Sequence, residues 1–284
     1  MPYTAEISRT NPSCFLFLID QSGSMQEPFG SADGAAAGGK TKAEGLADAI
    51  NRLLQNLVIK CAKSDGIRDY YHVGVIGYGG KGVGPAFGGA LKDKDMVPVS
   101  EIANNPMRVE QRVKKTDDGA GGIIEQKIKF PVWFDAMGEG GTPMCTAFIT
   151  ANKLLTKWMS EHPNCFPPIV INISDGESSD MDPYQAACDL LSLASTDGEV
   201  LLFNLHLSSS KEKAIEYPSS DENLPDDHSK LLYSMSSLLP EYMQKMLSAE
   251  GLPVTYYTRG FVFNADLVSV IRFLDIGTRP ANLR

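Results

Sequence analysis

The sequence predicts a doubly wound α/β fold, with a mostly parallel central sheet, helices on both faces, one antiparallel edge strand and an inserted hairpin. Short apolar runs of strand length alternate with longer stretches whose apolar residues recur every three or four positions. The runs are rich in Val, Ile, Leu or Phe, as strands covered on both faces are. At 284 residues, the chain is long enough for one domain of this class.

The elements follow in order. A strand over Cys14–Ile19 leads to a helix over Lys42–Cys61, whose Leu46, Ile50, Leu53, Leu54 and Leu57 share a face. A strand over His72–Gly77 comes next, then a stretch that breaks the rhythm. Helix Pro143–Met159, strand Ile169–Ile173, helix Tyr184–Ala194 and strand Val200–Leu205 restore it. Helix Lys230–Leu247, strand Gly260–Phe263 and helix Ala265–Leu274 complete the series. Alternation of this kind implies parallel strands, and ligands of such sheets bind beyond the strands' carboxyl ends.

The irregular stretch, about residues 79–141, is rich in glycine and carries Arg108, Glu110, Arg112, Lys114 and Lys115. Within it, Val109–Val113 and Ile123–Phe130 can pair across a turn at Asp118-Gly119. The second arm runs through Pro131 into Val132-Trp133-Phe134. The stretch has too little apolar content for a core of its own. We therefore expect one domain over residues 1–284 with an insertion.

Composition narrows the function classes. Lys and Arg number 26 against 35 Asp and Glu, a net charge of −9, with 43% hydrophobic and 21% charged residues. That is an ordinary globular balance. The acidic excess disfavours nucleic acid, whose recognition depends on basic residues, and anionic membranes alike. No apolar run approaches the ~20 residues of a membrane span. The opening Met1–Glu6 lacks a cationic stretch leading into an apolar signal core. Five scattered cysteines, an odd number, suit reduced thiols. A cytoplasmic location is the expectation. The four histidines look too dispersed for a zinc or catalytic cluster, and His72 reads as a packed side chain.

Three loops at strand ends or before a helix carry the candidate chemistry. After the first strand comes Ile19-Asp20-Gln21-Ser22-Gly23-Ser24-Met25, where alternate positions bring Asp20, Ser22 and Ser24 to one spot. One carboxylate and two hydroxyls are hard donors, suited to Mg²⁺ or Mn²⁺. The same serines can equally cap and turn the chain. Gly140-Gly141-Thr142-Pro143 opens a helix, where Thr142 suits an N-cap and Pro143 the first helical position. Ser174-Asp175-Gly176-Glu177 ends an apolar strand and is also ordinary turn chemistry.

Together, Asp-x-Ser-x-Ser at Asp20, Ser22 and Ser24, Thr142 before a central helix and Asp175 after a central strand resemble the von Willebrand factor A domain. The resemblance spans nearly the whole chain, and these five positions match the family's metal-ion-dependent adhesion site. It implies a von Willebrand A, Rossmann-like fold, Mg²⁺ or Mn²⁺ as cofactor and no catalysis. It also implies that Ser22 and Ser24 ligate the metal directly. Thr142 and Asp175 exchange between direct and water-mediated contact, and Asp20 acts mainly through water. A cation held mostly by neutral hydroxyls keeps unmet charge and an open position for a partner's Asp or Glu carboxylate. Among family members the chain looks most like bacterial cytosolic, tellurite-resistance-associated proteins, which are linked to kinase and phosphatase partners and stress signalling.

Rival patterns coexist. Gly34–Thr41 matches G-x-x-x-x-G-K-[ST] before a helix, so a nucleotide hydrolase using Lys40, Thr41 and Asp175 is the alternative, alongside an accessory subunit of an ATPase or chelatase machine. Residues 21–33 separate that pattern from its strand, whereas a phosphate loop follows its strand directly. Gly77-Tyr78-Gly79-Gly80-Lys81-Gly82 matches G-x-G-x-x-G but is followed by glycines and Pro85 instead of a helix. Asp182-Pro183-Tyr184-Gln185 reads as a helix start with a capping box. Glu177, Ser178, Ser179 and Asp180 read as a solvated turn that can also order water near a metal. Thirteen acids lie from Asp175 to His228, including the 212–227 loop, against Lys211 and Lys213. The expectation is that this loop sits on the metal-bearing edge and, with the insertion's Arg108, Arg112, Lys114 and Lys115, selects the partner.

Overall fold

Strand β1 (Ser13–Gln21) is buried along almost its whole length. Phe15, Phe17 and Ile19 enter one apolar layer, and Cys14, Leu16 and Leu18 the opposite one. That is the two-residue period of a strand with helices on both sides. The computed structural model describes residues 3–28, 39–117, 123–207 and 213–277, with backbone alone at 114–117, 123, 124, 267 and 277.

After β1 come α1 (Lys42–Cys61), β2 (Tyr71–Gly79), β3 (Gly82–Pro85), β4 (Val97–Pro98) and α2 (Val99–Asn104). The hairpin β5 (Arg108–Asp117) and β6 (Ile123–Val132) precedes α3 (Met144–Glu161), β7 (Ile169–Ser174), α4 (Tyr184–Leu191) and β8 (Leu201–Leu207). The chain then forms β9 (Ile215–Glu216), α5 (Asp227–Ser234), α6 (Glu241–Ala249), β10 (Phe261–Ala265) and α7 (Leu267–Gly277).

The main sheet runs β9-β10-β8-β7-β1-β2-β3, with β4 also paired to β2. β1 is parallel to β2 and β7, β7 to β8, and β8 to β10. Helices α1, α2, α6 and α7 cover one face, and α3, α4 and α5 the other. The chain winds outward from β1 in both directions, so the crevice between the ends of β1 and β7 is the switch point where such sheets bind ligands. Ile19 pairs with Ile173 in register, which sets Asp20 opposite Ser174, one residue before Asp175, at that crevice.

Several expectations need correction. Antiparallel strands close both edges of the sheet, with β3 and β4 on one side and β9 on the other. The helix expected over Lys230–Leu247 is two helices, because Pro240 cannot continue a helix and instead caps α6. Asp182 accepts the Tyr184 amide, but Gln185 bonds Asp189, so no capping box forms. The hairpin pairs as expected, Val109 with Pro131 and Val113 with Lys127, while its turn falls outside the described residues. It is a separate two-stranded sheet held by its base. Asn51 of α1 accepts the Trp133 amide (2.8 Å) and donates to the Phe134 carbonyl (3.1 Å).

Among the described residues no helix is long and apolar enough to cross a membrane. All five cysteines are free thiols, four of them buried. Burial pushes the thiols of Cys61 and Cys165 up to about 12, so they are packing groups at neutral pH.

Candidate metal centre

The first loop leaves β1 through a single turn of 3₁₀ helix at Gly23–Gln26, and its side chains fold back over the strand end. Asp20 is almost fully buried. One of its carboxylate oxygens accepts the Ser22 amide (2.8 Å), and the other accepts the Ser174 hydroxyl (2.7 Å). The hydroxyls of Ser22 and Ser24 are 3.0 Å apart, and Ser24 donates to Asp175 Oδ1 at 2.7 Å. Four of the five expected residues therefore form one hydrogen-bonded network drawn from two loops.

The fifth, Thr142, is buried beside them on a tightly tied second loop. The Gly23 amide donates to the Gly140 carbonyl (2.9 Å), binding loop one to loop two. Gly140 has φ +73°, and a Cβ there would collide with the Gly80 backbone, so glycine is required. Ser179 binds Thr142 twice, accepting its amide through Oγ (2.7 Å) and donating its own amide to the Thr142 carbonyl (2.8 Å). The Thr142 hydroxyl faces Gly176, where a Cβ would lie 3.7 Å away.

Thr142 does not cap α3. The first free amides of α3, at Cys145 and Thr146, go to the Asp180 carboxylate (3.2 and 2.9 Å), which also accepts the hydroxyls of Thr146 and Ser178. Burial would raise the Asp180 pKa, but these donors outweigh it and hold the carboxyl down at about 2. Ser179 and Asp180 are thus the struts that lock loop three to loop two, and the solvated-turn reading fails for them. Capping by Asp180 leaves the Thr142 hydroxyl available at the crevice.

Two participants were not singled out from the sequence. Ser174 is the hydroxyl donor to Asp20. Lys42, the first residue of α1, is buried with its ammonium 2.7 Å from Asp175 Oδ2 and 2.9 Å from Glu27 Oε2. Burial lowers the Lys42 pKa, yet the two carboxylates more than offset this and hold it above the ordinary value. Asp20 is different. Burial raises its pKa, the donated hydrogen bonds compensate only in part, and nearby Asp175 adds to the rise. Among the described residues Asp20 makes no ion pair, so the crevice holds negative charge that Lys42 only partly balances.

The donor set fits a hard divalent cation. Oxygens adjacent on an octahedral Mg²⁺ with bonds near 2.1 Å are about 3.0 Å apart, and the two serine hydroxyls match that spacing. Two carboxylates and three hydroxyls make a poor zinc site. Among the described residues no group of three or more His, Cys, Asp or Glu is placed to hold a metal.

The surroundings depart from expectation. β9 runs antiparallel to β10, so Tyr217 and Pro218 bond Phe261 and Arg259, and Ser219 bonds Thr255 and Thr258 near the start of β10. This carries Ser219–Glu222 away from the metal edge. The chain returns at Asp226, which caps α5, while Glu216 holds Ser269 and Arg272. A cavity of about 370 Å³ beside the crevice is lined by Glu177, Asp182, Asp227 and His228. The insertion's arginines are not free charges: Arg108 pairs with Glu110 and Asp135, and Arg112 with Asp48 and Glu110. The side chains of Lys114 and Lys115, like Lys211, lie outside the described residues. Nor are the histidines fully dispersed. His72 packs on His162 and accepts from Trp158 (2.9 Å), and His206 meets His228 at 5.9 Å between rings.

The rival nucleotide motifs are occupied in other ways. Lys40 pairs with Asp48, and Thr41 forms a capping box with Glu44 that starts α1. Pro28 and Thr41 bridge to each other, and residues 34–38 of the pattern lie outside the described residues. Gly77–Gly82 is the tip of the β2–β3 hairpin, with Gly80 and Lys81 as its turn, not a strand-to-helix loop. No family model matches the chain, and no curated protein matches it.

Proposed function

We propose that this is a von Willebrand A-like binding module, without catalytic activity of its own, which recognises an acidic group of a protein partner through a divalent cation. Asp20, Ser22, Ser24, Thr142 and Asp175 would hold Mg²⁺ or Mn²⁺. The observation that carries this reading is the meeting of Asp20, Ser22, Ser24 and Asp175 in one network, with the two serine hydroxyls spaced as adjacent ligands. The bound cation supplies Lewis acidity and an open coordination position. The chain's own residues do the rest. Asp20 fixes the serine loop through the Ser22 amide, and Ser179 and Asp180 lock the Thr142 and Asp175 loops together.

A partner's Asp or Glu carboxylate would complete the site with a charge-assisted contact in a partly dry crevice. The acids around the 370 Å³ cavity favour a partner surface that is basic around that carboxylate. Cytoplasmic work in bacterial stress or phospho-signalling, with a kinase or phosphatase system as partner, is the setting we infer. Capture from a lysate at equal ionic strength with Mg²⁺ or EDTA tests the binding reading. We expect a partner retained with Mg²⁺ and lost both in EDTA and by Ser24→Ala, whereas retention in all three conditions would overturn it.

A further inference from the structure

Lys42 is placed in a way that a helix-starting lysine has no structural need to be. It lies on the apolar stripe of α1, in line with Leu46, Ala49, Ile50 and Leu53, and its side chain is 4% exposed. An ammonium in such a place is costly unless paired. Its main partner is Asp175 Oδ2, while Asp175 Oδ1 takes the Ser24 hydroxyl. Glu27, 54% exposed, holds the ammonium from the solvent side.

The buried charges are then Lys42 against Asp20 and Asp175, one positive and two negative. With Glu27 counted, three carboxylates face one ammonium, and a divalent cation would bring the set to neutrality. The ammonium repels a second cation at short range, in surroundings where screening is weak.

We propose that Lys42 is a resident counter-cation that weakens divalent-cation binding at this site. This rests on the adhesion-type reading of the same residues. Because Asp175 is already satisfied by Lys42 and Ser24, the crevice stays folded when no metal is bound. The metal has to outweigh an existing ion pair.

Calorimetric titration of the full chain with Mn²⁺ alone tests this, using wild type, Lys42→Met and Ser24→Ala. Lys42→Met is expected to bind Mn²⁺ at least about ten-fold more tightly. In EDTA it should melt below wild type, and Mn²⁺ should raise its melting temperature by more than it raises that of wild type. Ser24→Ala should show no binding. Lys42→Gln, which keeps a hydrogen bond to Asp175 without the charge, gives the same reading if the methionine variant does not fold. Tighter Mn²⁺ binding by Lys42→Met or Lys42→Gln than by wild type would support the proposal. If wild type binds and both Lys42 variants bind equally or less tightly, the resident-cation proposal fails while the metal site stands. If neither wild type nor either Lys42 variant binds, both fail.

Discussion

Helix α1 contributes one residue to each of two charge clusters, and the contrast between them separates scaffold from site. On the hairpin side, Asp48 joins Lys40, Arg108, Arg112, Glu110 and Asp135, three cations with three anions. Every member is partly exposed, and Arg112 also lies 3.7 Å over the Phe130 ring. Such a cluster is balanced and wet, and it fastens the hairpin to α1. On the crevice side, Lys42 joins Asp20 and Asp175, all deeply buried and unbalanced. Proteins rarely keep unbalanced charge in a dry place without a use for it. Charge count and burial, not the number of ion pairs, distinguish the two.

The contrast should be sharpest when the crevice pair is cut. Asp175→Ala leaves Lys42 buried with only the exposed Glu27 as carboxylate partner. We expect a loss of about 3 kcal/mol of unfolding free energy in EDTA, measured by urea denaturation. A loss below about 1 kcal/mol would place this pair with the hairpin cluster.

A smaller effect should come from acid. Burial, with His228 adding to it, pushes the His206 pKa down to about 4, while Asp226 and Asp175 pull the other way and Lys42 lowers it further. In the unfolded chain the same group titrates near 6.5. Between those values the unfolded state binds more protons, so stability is present above about pH 6.5 and falls as pH drops towards 4. Denaturation at pH 7 and pH 4.5 should differ by about 2 kcal/mol more in wild type than in His206→Gln. Equal slopes would remove His206 as the cause.

The smallest change is expected on the hairpin side. Arg112→Ala should cost about 1 kcal/mol or less, shrink further in high salt, and leave metal binding unchanged. A marked change in metal affinity would mean that the two clusters are coupled through α1.

What the sequence revealed follows the same division. α1 was legible to the residue, because a long amphipathic stripe ends in clear signals. The five parallel strands were found to within about two residues at each end, since full burial makes them continuous apolar runs. The four networked site residues were readable because each lies at or just past the carboxyl end of a strand, so the topology alone brings them together. Long-range pairings were not readable. Nothing local says that Asp180 caps α3 instead of solvating a turn, or that Arg108 and Arg112 find acids of their own. The antiparallel β9 could not be foreseen from two residues, and it carried the acidic loop away. Lys42 did leave a trace: a lysine on the apolar face of α1, four residues before Leu46, is a buried charge in need of a partner.

The most direct measurement of the central claim is a thermal melt of the full chain in EDTA, in Mg²⁺ or Mn²⁺, and in ATP with Mg²⁺. The account predicts a higher melting temperature with either cation alone, no further rise with ATP, and no cation response in Asp20→Ala or Ser24→Ala. A melting temperature indifferent to both cations, or one raised only by ATP with Mg²⁺ and restored to baseline by Lys40→Ala, would contradict it.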